Sequence, residues 1–74
     1  MAIPAFAQQN EFQQGVEAYE NFEYQKALKL FQLALKKAES TGLKARIYVY
    51  MGVVRYTIGD KSGAQNDFEK ALKL

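Results

Sequence analysis

The amino-acid sequence predicts an all-α fold, in which four helices form two tandem helix-turn-helix hairpins. Apolar residues between Tyr24 and Ser40 recur at the spacing of three and four residues that is typical of an amphipathic helix. When the chain is shifted by 37 residues, residues 8–37 pair with residues 45–74, and eight of these thirty pairs are identical. A turn-type segment, "GDKSG" at residues 59–63, separates the last two helical stretches. A helical hairpin that occurs twice predicts a repeat architecture, in which neighbouring hairpins bury each other's apolar faces.

The first hairpin contains the clearest helical pattern. Its first helix is predicted from about Gln9 to Asn21, and its second from about Tyr24 to Ser40. Gly42 follows the second helix, where a left-handed glycine commonly ends a helix. The second helix carries one continuous apolar stripe, formed by Ala27, Leu30, Phe31, Ala34, Leu35 and Ala38.

The second hairpin contains one ambiguous segment. The stretch "IYVYMGVV" at residues 47–54 is rich in β-branched and aromatic residues, which favour strands. The repeat assigns it to a helix from about Lys44 to Ile58, because its residues match a more helical part of the first hairpin. Gly59 is predicted to end this helix, and Asp60 to cap a fourth helix that runs from about Lys61 to the end of the chain. The matching pairs are Gly15 and Gly52, Val16 and Val53, and Tyr19 and Tyr56.

Small and aromatic residues recur at fixed offsets in both hairpins, and this pattern resembles the tetratricopeptide repeat. The period here is 37 residues rather than 34, and Phe22 stands where that family has a turn glycine. The resemblance divides the chain into an N-terminal tail (1–7), a first repeat (8–41), a linker (42–44) and a second repeat (45–74). The residues expected to make the packing contacts of each repeat are Gly15, Ala27, Phe31 and Ala34, and then Gly52, Ala64, Phe68 and Ala71.

The resemblance also implies a function and a site. In tetratricopeptide arrays the first helix of each repeat lines a concave groove that binds a peptide or a helix of another protein. The chain is therefore expected to be a non-catalytic protein interaction module. The expected groove residues are Phe12, Val16, Tyr19, Arg46, Val49, Tyr50, Val53 and Tyr56.

Composition excludes most catalytic and cofactor chemistry. The chain has no cysteine and no histidine, so it lacks thiolate nucleophiles and the commonest zinc ligands. Glu17 and Glu20 are spaced as neighbours on a helix face, but such a pair is more often a solvated surface than an acid–base site. We therefore predict no enzymatic activity, no metal and no cofactor.

The net charge and the hydropathy of the chain indicate which classes of partner it is expected to bind. The net charge of +2 is too small to suggest duplex DNA or an anionic membrane. No apolar run approaches the roughly 18 residues that a membrane span requires. Ala5-Phe6-Ala7 has the small-x-small pattern of a signal-peptidase site and gives a weak indication of export to the periplasm, although a chance tripeptide is the favoured explanation.

Two further interpretations of the chain stay open. About three repeats are normally needed for a stable array, so this two-repeat chain is expected to self-associate as a homo-oligomer or to act as a stacking unit of a larger scaffold. Alternatively, a lysine-rich face could bind single-stranded nucleic acid. That face comprises Lys26, Lys29, Lys36, Lys37, Lys70 and Lys73.

Overall fold

A computed structural model of the chain describes residues 10–74. The described chain consists of two helical hairpins and has no strand, which confirms the predicted all-α fold with four helices. The possible export signal at residues 5–7 lies outside the described residues. The helices are α1 (Glu11–Glu20), α2 (Tyr24–Lys37), α3 (Thr41–Thr57) and α4 (Lys61–Lys73).

Three of the four helices begin at a side chain that caps them. Asn10 Oδ1 accepts a hydrogen bond of 3.0 Å from the backbone N–H of Gln13 at the start of α1. The hydroxyl of Ser40 accepts one from Leu43, and Asp60 Oδ1 accepts one of 2.9 Å from the N–H of residue 63. Each cap satisfies one of the donors that a helix leaves unpaired in its first turn. The predicted cap at Asp60 is thereby confirmed.

The two hairpins turn in the same way. In the first, Phe22 has a φ of 65°, and in the second, Gly59 has a φ of 94° at the matching position. A hydrogen bond of 2.8 Å then runs from the N–H of Glu23 to the carbonyl of Ala18, and the same bond joins Asp60 to Arg55. These are the left-handed helix ends described for glycine. The first hairpin therefore holds a phenylalanine in a conformation that favours glycine.

The connection between the hairpins differs from the prediction. α2 ends at Lys37 rather than Ser40, and Ala38 is extended. Gly42 is not a left-handed cap, and residues 42–44 are not a linker, because all three lie in the first turn of α3. The reason is Ser40, whose side chain caps α3 and so moves its start to Thr41.

The core lies between the two hairpins. α3 packs on α2 and, to a smaller extent, on α1. Small residues of the first hairpin leave room for larger side chains of α3, which fill the space between the elements. The buried cluster comprises Ala18, Ala27, Leu28, Phe31, Ala34, Ile47, Met51 and Val54.

A phenylalanine packs directly on a glycine backbone in each hairpin. A Cβ atom placed on Gly15 would lie 2.6 Å from Cε1 of Phe31, and one placed on Gly52 would lie 2.5 Å from Cε1 of Phe68. Both distances are far below van der Waals contact. The predicted packing role of these two glycines follows from this close approach of ring and backbone.

Alanine at these two glycines should have unequal effects. Gly15→Ala should cost about 1–3 kcal/mol, because Phe31 is completely buried and cannot move away from the new methyl group. Gly52→Ala should cost less or nothing, because Phe68 is 36% exposed and can shift outward while alanine contributes up to about 1 kcal/mol of helix propensity. Urea unfolding, monitored by circular dichroism, measures the change in the free energy of unfolding for both variants. Equal losses would show that the ring of Phe68 is held as rigidly as that of Phe31.

Candidate interaction surfaces

Two open surfaces on the described part of the chain combine aromatic and charged side chains. The first, which we call the trough, is a depression of about 370 Å³ along α1 with Tyr50 of α3 on its far side. Its apolar lining is Phe12, Val16 and Tyr50, and its polar lining is Gln13, Glu17 and Glu20.

Aromatic side chains form the floor of the trough and also join it to the core. The ring of Tyr50 lies 5.4 Å from that of Phe31 and 5.5 Å from that of Phe12, measured between centroids. Tyr19 lies 6.2 Å from Tyr50 on the other side. These separations are typical of favourable tilted and edge-to-face aromatic pairs. The rings are therefore held in place by the core, and only their outer edges are available to a ligand.

The carboxylates of Glu17 and Glu20 give one end of the trough a negative charge. Both residues are exposed, and neither forms an ion pair within residues 10–74. They occupy the last turn of α1, which contains no basic residue. The partial negative charge at the end of a helix adds to theirs, so this end of the trough attracts cations.

The second surface, which we call the end face, lies on the outer side of the second hairpin. It is a depression of about 410 Å³ between the end of α3 and the length of α4. Phe68 is 36% exposed here and Leu72 is 86% exposed. The lining consists of Tyr56, Lys61, Ala64, Gln65, Phe68, Glu69 and Leu72.

The matching face of the first hairpin is covered rather than open. Phe31, the counterpart of Phe68, is completely buried, and Leu28, the counterpart of Gln65, is 9% exposed. α3 covers this face with Ile47, Met51 and Val54, which belong to the same buried cluster. Nothing within residues 10–74 covers the end face in the same way.

An ion pair replaces an apolar contact on the opposite side of the second hairpin. Both carboxylate oxygens of Asp67 accept hydrogen bonds from Nη1 of Arg55, at 3.0 and 2.9 Å. At the matching positions of the first hairpin, Ala18 and Leu30 line one shallow depression. Asp67 is only 1% exposed. Burial raises the pKa of its carboxyl group above the ordinary value, and the adjacent Arg55 offsets part of this shift.

The structure brings only some of the predicted groove residues together. Phe12, Val16, Tyr19 and Tyr50 lie side by side, whereas Tyr56 is 59% exposed and lines the end face instead. The other three predicted residues follow the length of α3. Of these, Arg46 and Val49 are exposed and Val53 is half-buried.

The predicted packing residues are mostly buried. Phe68 and Ala71 are the exceptions, because they lie on α4, whose outer side is not covered by any of residues 10–74. Sequence reasoning missed Glu17 on the trough and Lys61, Gln65 and Glu69 on the end face. Alignment of the two hairpins contained a signal for Gln65, since it replaces a buried leucine. The buried packing residues are Gly15, Ala27, Phe31, Ala34, Gly52 and Ala64.

The lysine-rich face is partly engaged within the chain. Lys37 donates to Glu11 at 2.7 Å and lowers the pKa of that carboxyl group. Lys26 lies 3.9 Å from Glu23, and the Lys70 ammonium lies 5.7 Å from the ring centroid of Tyr48. A backbone-tracking site for nucleic acid needs cations that are free to meet phosphates, so these contacts weaken that interpretation.

Two classes of site find no support in the described residues. No group of three or more acidic residues within residues 10–74 is placed to hold a metal ion. In the same range, no helix has the length and apolar character that crossing a membrane requires.

The fold and its surfaces define an all-α protein of two stacked helical hairpins with an open trough and an open end face. Compared with models of protein families, with curated proteins and with solved structures, the chain matches none of them. The resemblance to tetratricopeptide repeats therefore rests on the residues quoted above.

Proposed function

We propose that the chain is a non-catalytic protein interaction module of the tetratricopeptide type, which binds a segment of another protein in the trough. The observation that carries the proposal is the row formed by Phe12, Val16 and Tyr50, which stays accessible although its aromatic members are fixed by the core. Preorganised aromatic surfaces bind well because little conformational freedom is lost on binding.

The charges of the trough indicate the chemistry of the ligand. An apolar side chain of the ligand contacts Val16 and Tyr50, and a lysine or arginine beside it meets Glu17 and Glu20. Neither carboxylate has a cationic partner within residues 10–74, so the ligand supplies a charge that the described chain does not. The expected partner is a short segment that combines apolar and basic residues.

Selection from a random peptide library displayed on phage tests this proposal. We expect the enriched peptides to carry a large apolar residue next to a basic one. Val16→Asp and Glu20→Lys should each weaken binding of an enriched peptide by about tenfold or more. Glu20 is exposed, so its variant keeps the fold. Amide chemical shifts measured with the bound peptide should change along α1 and near Tyr50.

The matched control is Leu33→Asp, which replaces a 46% exposed apolar residue on the outer side of α2. It should leave both the helical circular dichroism and peptide binding unchanged. If no peptide is enriched over a selection on Val16→Asp, or if the shifts change on another face, the trough is not the binding site.

A further inference from the structure

We propose that the end face is a two-fold interface between two copies of this chain, in which α4 packs antiparallel to α4 of the second copy about an axis at Gln65. This surface is separate from the trough, so the inference is independent of the function proposed above. It commits to a second copy because the chemistry of the face is complementary to itself.

The first argument is the exposed apolar area. Phe68 stacks on Gly52 just as Phe31 stacks on Gly15, but it keeps 36% of its surface in water whereas Phe31 keeps none. Leu72 is 86% exposed one turn further along α4. Because burying apolar surface is favourable, a helix that packs on this face is stabilised by covering Phe68 and Leu72, as α3 is stabilised by covering Phe31 on the first hairpin.

The second argument is the order of charges along α4. Lys61 lies four residues before Gln65 and Glu69 lies four residues after it, and all three line the end face. With a helical rise of about 1.5 Å per residue, each charge lies about 6 Å from an axis through Gln65. An antiparallel copy therefore places its Glu69 opposite Lys61, and the symmetry repeats this pair on the other side. A parallel copy would instead place like charges together.

These two charges are available for such pairs. Within residues 10–74 neither Lys61 nor Glu69 forms an ion pair. The Lys61 ammonium lies 5.9 Å from the ring centroid of Tyr56, and Glu69 accepts one hydrogen bond of 3.4 Å from Gln65. Both weak contacts are compatible with an additional partner. Two symmetric ion pairs fix the orientation of the copies, and the apolar residues between them supply the attraction.

The apolar residues fit the same arrangement. Phe68 lies three residues after Gln65, so the two-fold axis places its ring against the first turn of α4 in the other copy, opposite Ser62. Ser62 is exposed and has a small side chain, so it leaves room for the ring. Leu72 reaches the end of α3 of the other copy, where Tyr56 and Ile58 are 59% and 40% exposed.

The sharpest experiment exchanges the charges of Lys61 and Glu69 and measures the dimer Kd by sedimentation equilibrium. The chain should sediment as a dimer at several hundred micromolar. Lys61→Glu and Glu69→Lys should each raise the dimer Kd by about tenfold, because each creates two like-charge contacts across the axis. The double variant restores both pairs with reversed sign, and its Kd should return to within about threefold of the original.

The controls separate the interface from general charge effects. Lys29→Glu and Glu39→Lys make the same changes of charge on exposed residues away from the end face, and each should leave the Kd unchanged. Leu72→Asp alters an exposed residue, so it should keep the helical signal and abolish the dimer.

A chain that stays monomeric at several hundred micromolar overturns the proposal and leaves the end face to a helix from another protein. The proposal is also overturned if the dimer Kd is unchanged in the single charge variants, or if the Kd of the double variant does not return toward the original value. Only a recovery of the dimer Kd in the double variant supports the antiparallel arrangement about Gln65.

Discussion

Phe31→Ala should remove most of the stability of this protein, with a loss of about 3–5 kcal/mol in the free energy of unfolding. Phe31 is completely buried and contacts the rings of Phe12 and Tyr50 as well as the backbone of Gly15. Truncation leaves a cavity at the point where both hairpins meet. A domain of this size is stable by only a few kcal/mol, roughly 3–5, so the variant should be largely unfolded at room temperature.

Phe68→Ala is the matched control for this prediction. It makes the same chemical change at the equivalent position of the second hairpin, where the ring is 36% exposed. Less apolar surface is lost and water can enter the space, so the cost should be about 1–2 kcal/mol. Measurements should be made at low concentration, where the chain is monomeric. If both variants lose the same stability under these conditions, the two hairpins do not differ in burial as described.

Arg55→Ala should be the second most disruptive substitution, with a cost of about 2–3 kcal/mol. It leaves the carboxylate of Asp67, which is 1% exposed, without the cation that binds both of its oxygens. The cost is smaller than for a fully buried pair because the Arg55 side chain is itself 23% exposed. Asp67→Leu should cost less, since the guanidinium it frees can turn toward water.

The double variant Arg55→Ala with Asp67→Leu reproduces the Ala18 and Leu30 of the first hairpin. It should be at least as stable as the unmodified chain, because replacing a buried ion pair by well-packed apolar residues is often stabilising. Urea unfolding of the four proteins gives the coupling energy. If the losses of the two single variants simply add in the double variant, the pair is not coupled.

Lowering the pH tests whether the cost of Arg55→Ala depends on the negative charge of Asp67. Burial raises the pKa of Asp67, so the folded protein binds the proton of this group more readily than the unfolded chain does. The contribution of Asp67 to stability is therefore greatest at low pH and is lost as the pH rises through the raised pKa. The difference in stability between Arg55→Ala and the unmodified chain should narrow as the pH falls from neutral through the raised pKa of Asp67, where its carboxyl group becomes protonated.

The helical pattern of the sequence was sufficient to predict the fold. The stripe on the second helix and the repeat offset of 37 residues led to the assignment of "IYVYMGVV" to a helix, although its composition favours a strand. The start of α3 was predicted three residues late, because a serine in the last turn of one helix and a serine that caps the next helix look alike in sequence. Only the hydrogen bond from the Leu43 N–H to Ser40 distinguishes them.

The candidate surfaces were less predictable than the fold. The resemblance to tetratricopeptide repeats placed Phe12, Val16, Tyr19 and Tyr50 in one groove, but it could not show that Tyr50 packs on Phe31 as well as lining the trough. Tyr56 has the same spacing as Tyr19, yet it is 59% exposed and lines the end face rather than packing against another ring of the trough. The difference arises because Tyr19 has a second hairpin beside it, whereas Tyr56 has none among the described residues.

The sequence by itself determined the elements that local interactions control: the apolar stripes, the cap at Asp60 and the turn at Gly59. It also marked Gly15 and Phe31, and Gly52 and Phe68, as packing residues at equal offsets in the two hairpins. The structure then showed that each ring lies on its glycine. Only the tertiary structure determined the solvent exposure of each residue. Phe31 and Phe68 occupy the same position of the same local structure, and α3 covers only the first of them. Burial depends on neighbours that are distant in sequence, so two identical local patterns become a core in one hairpin and an exposed surface in the other.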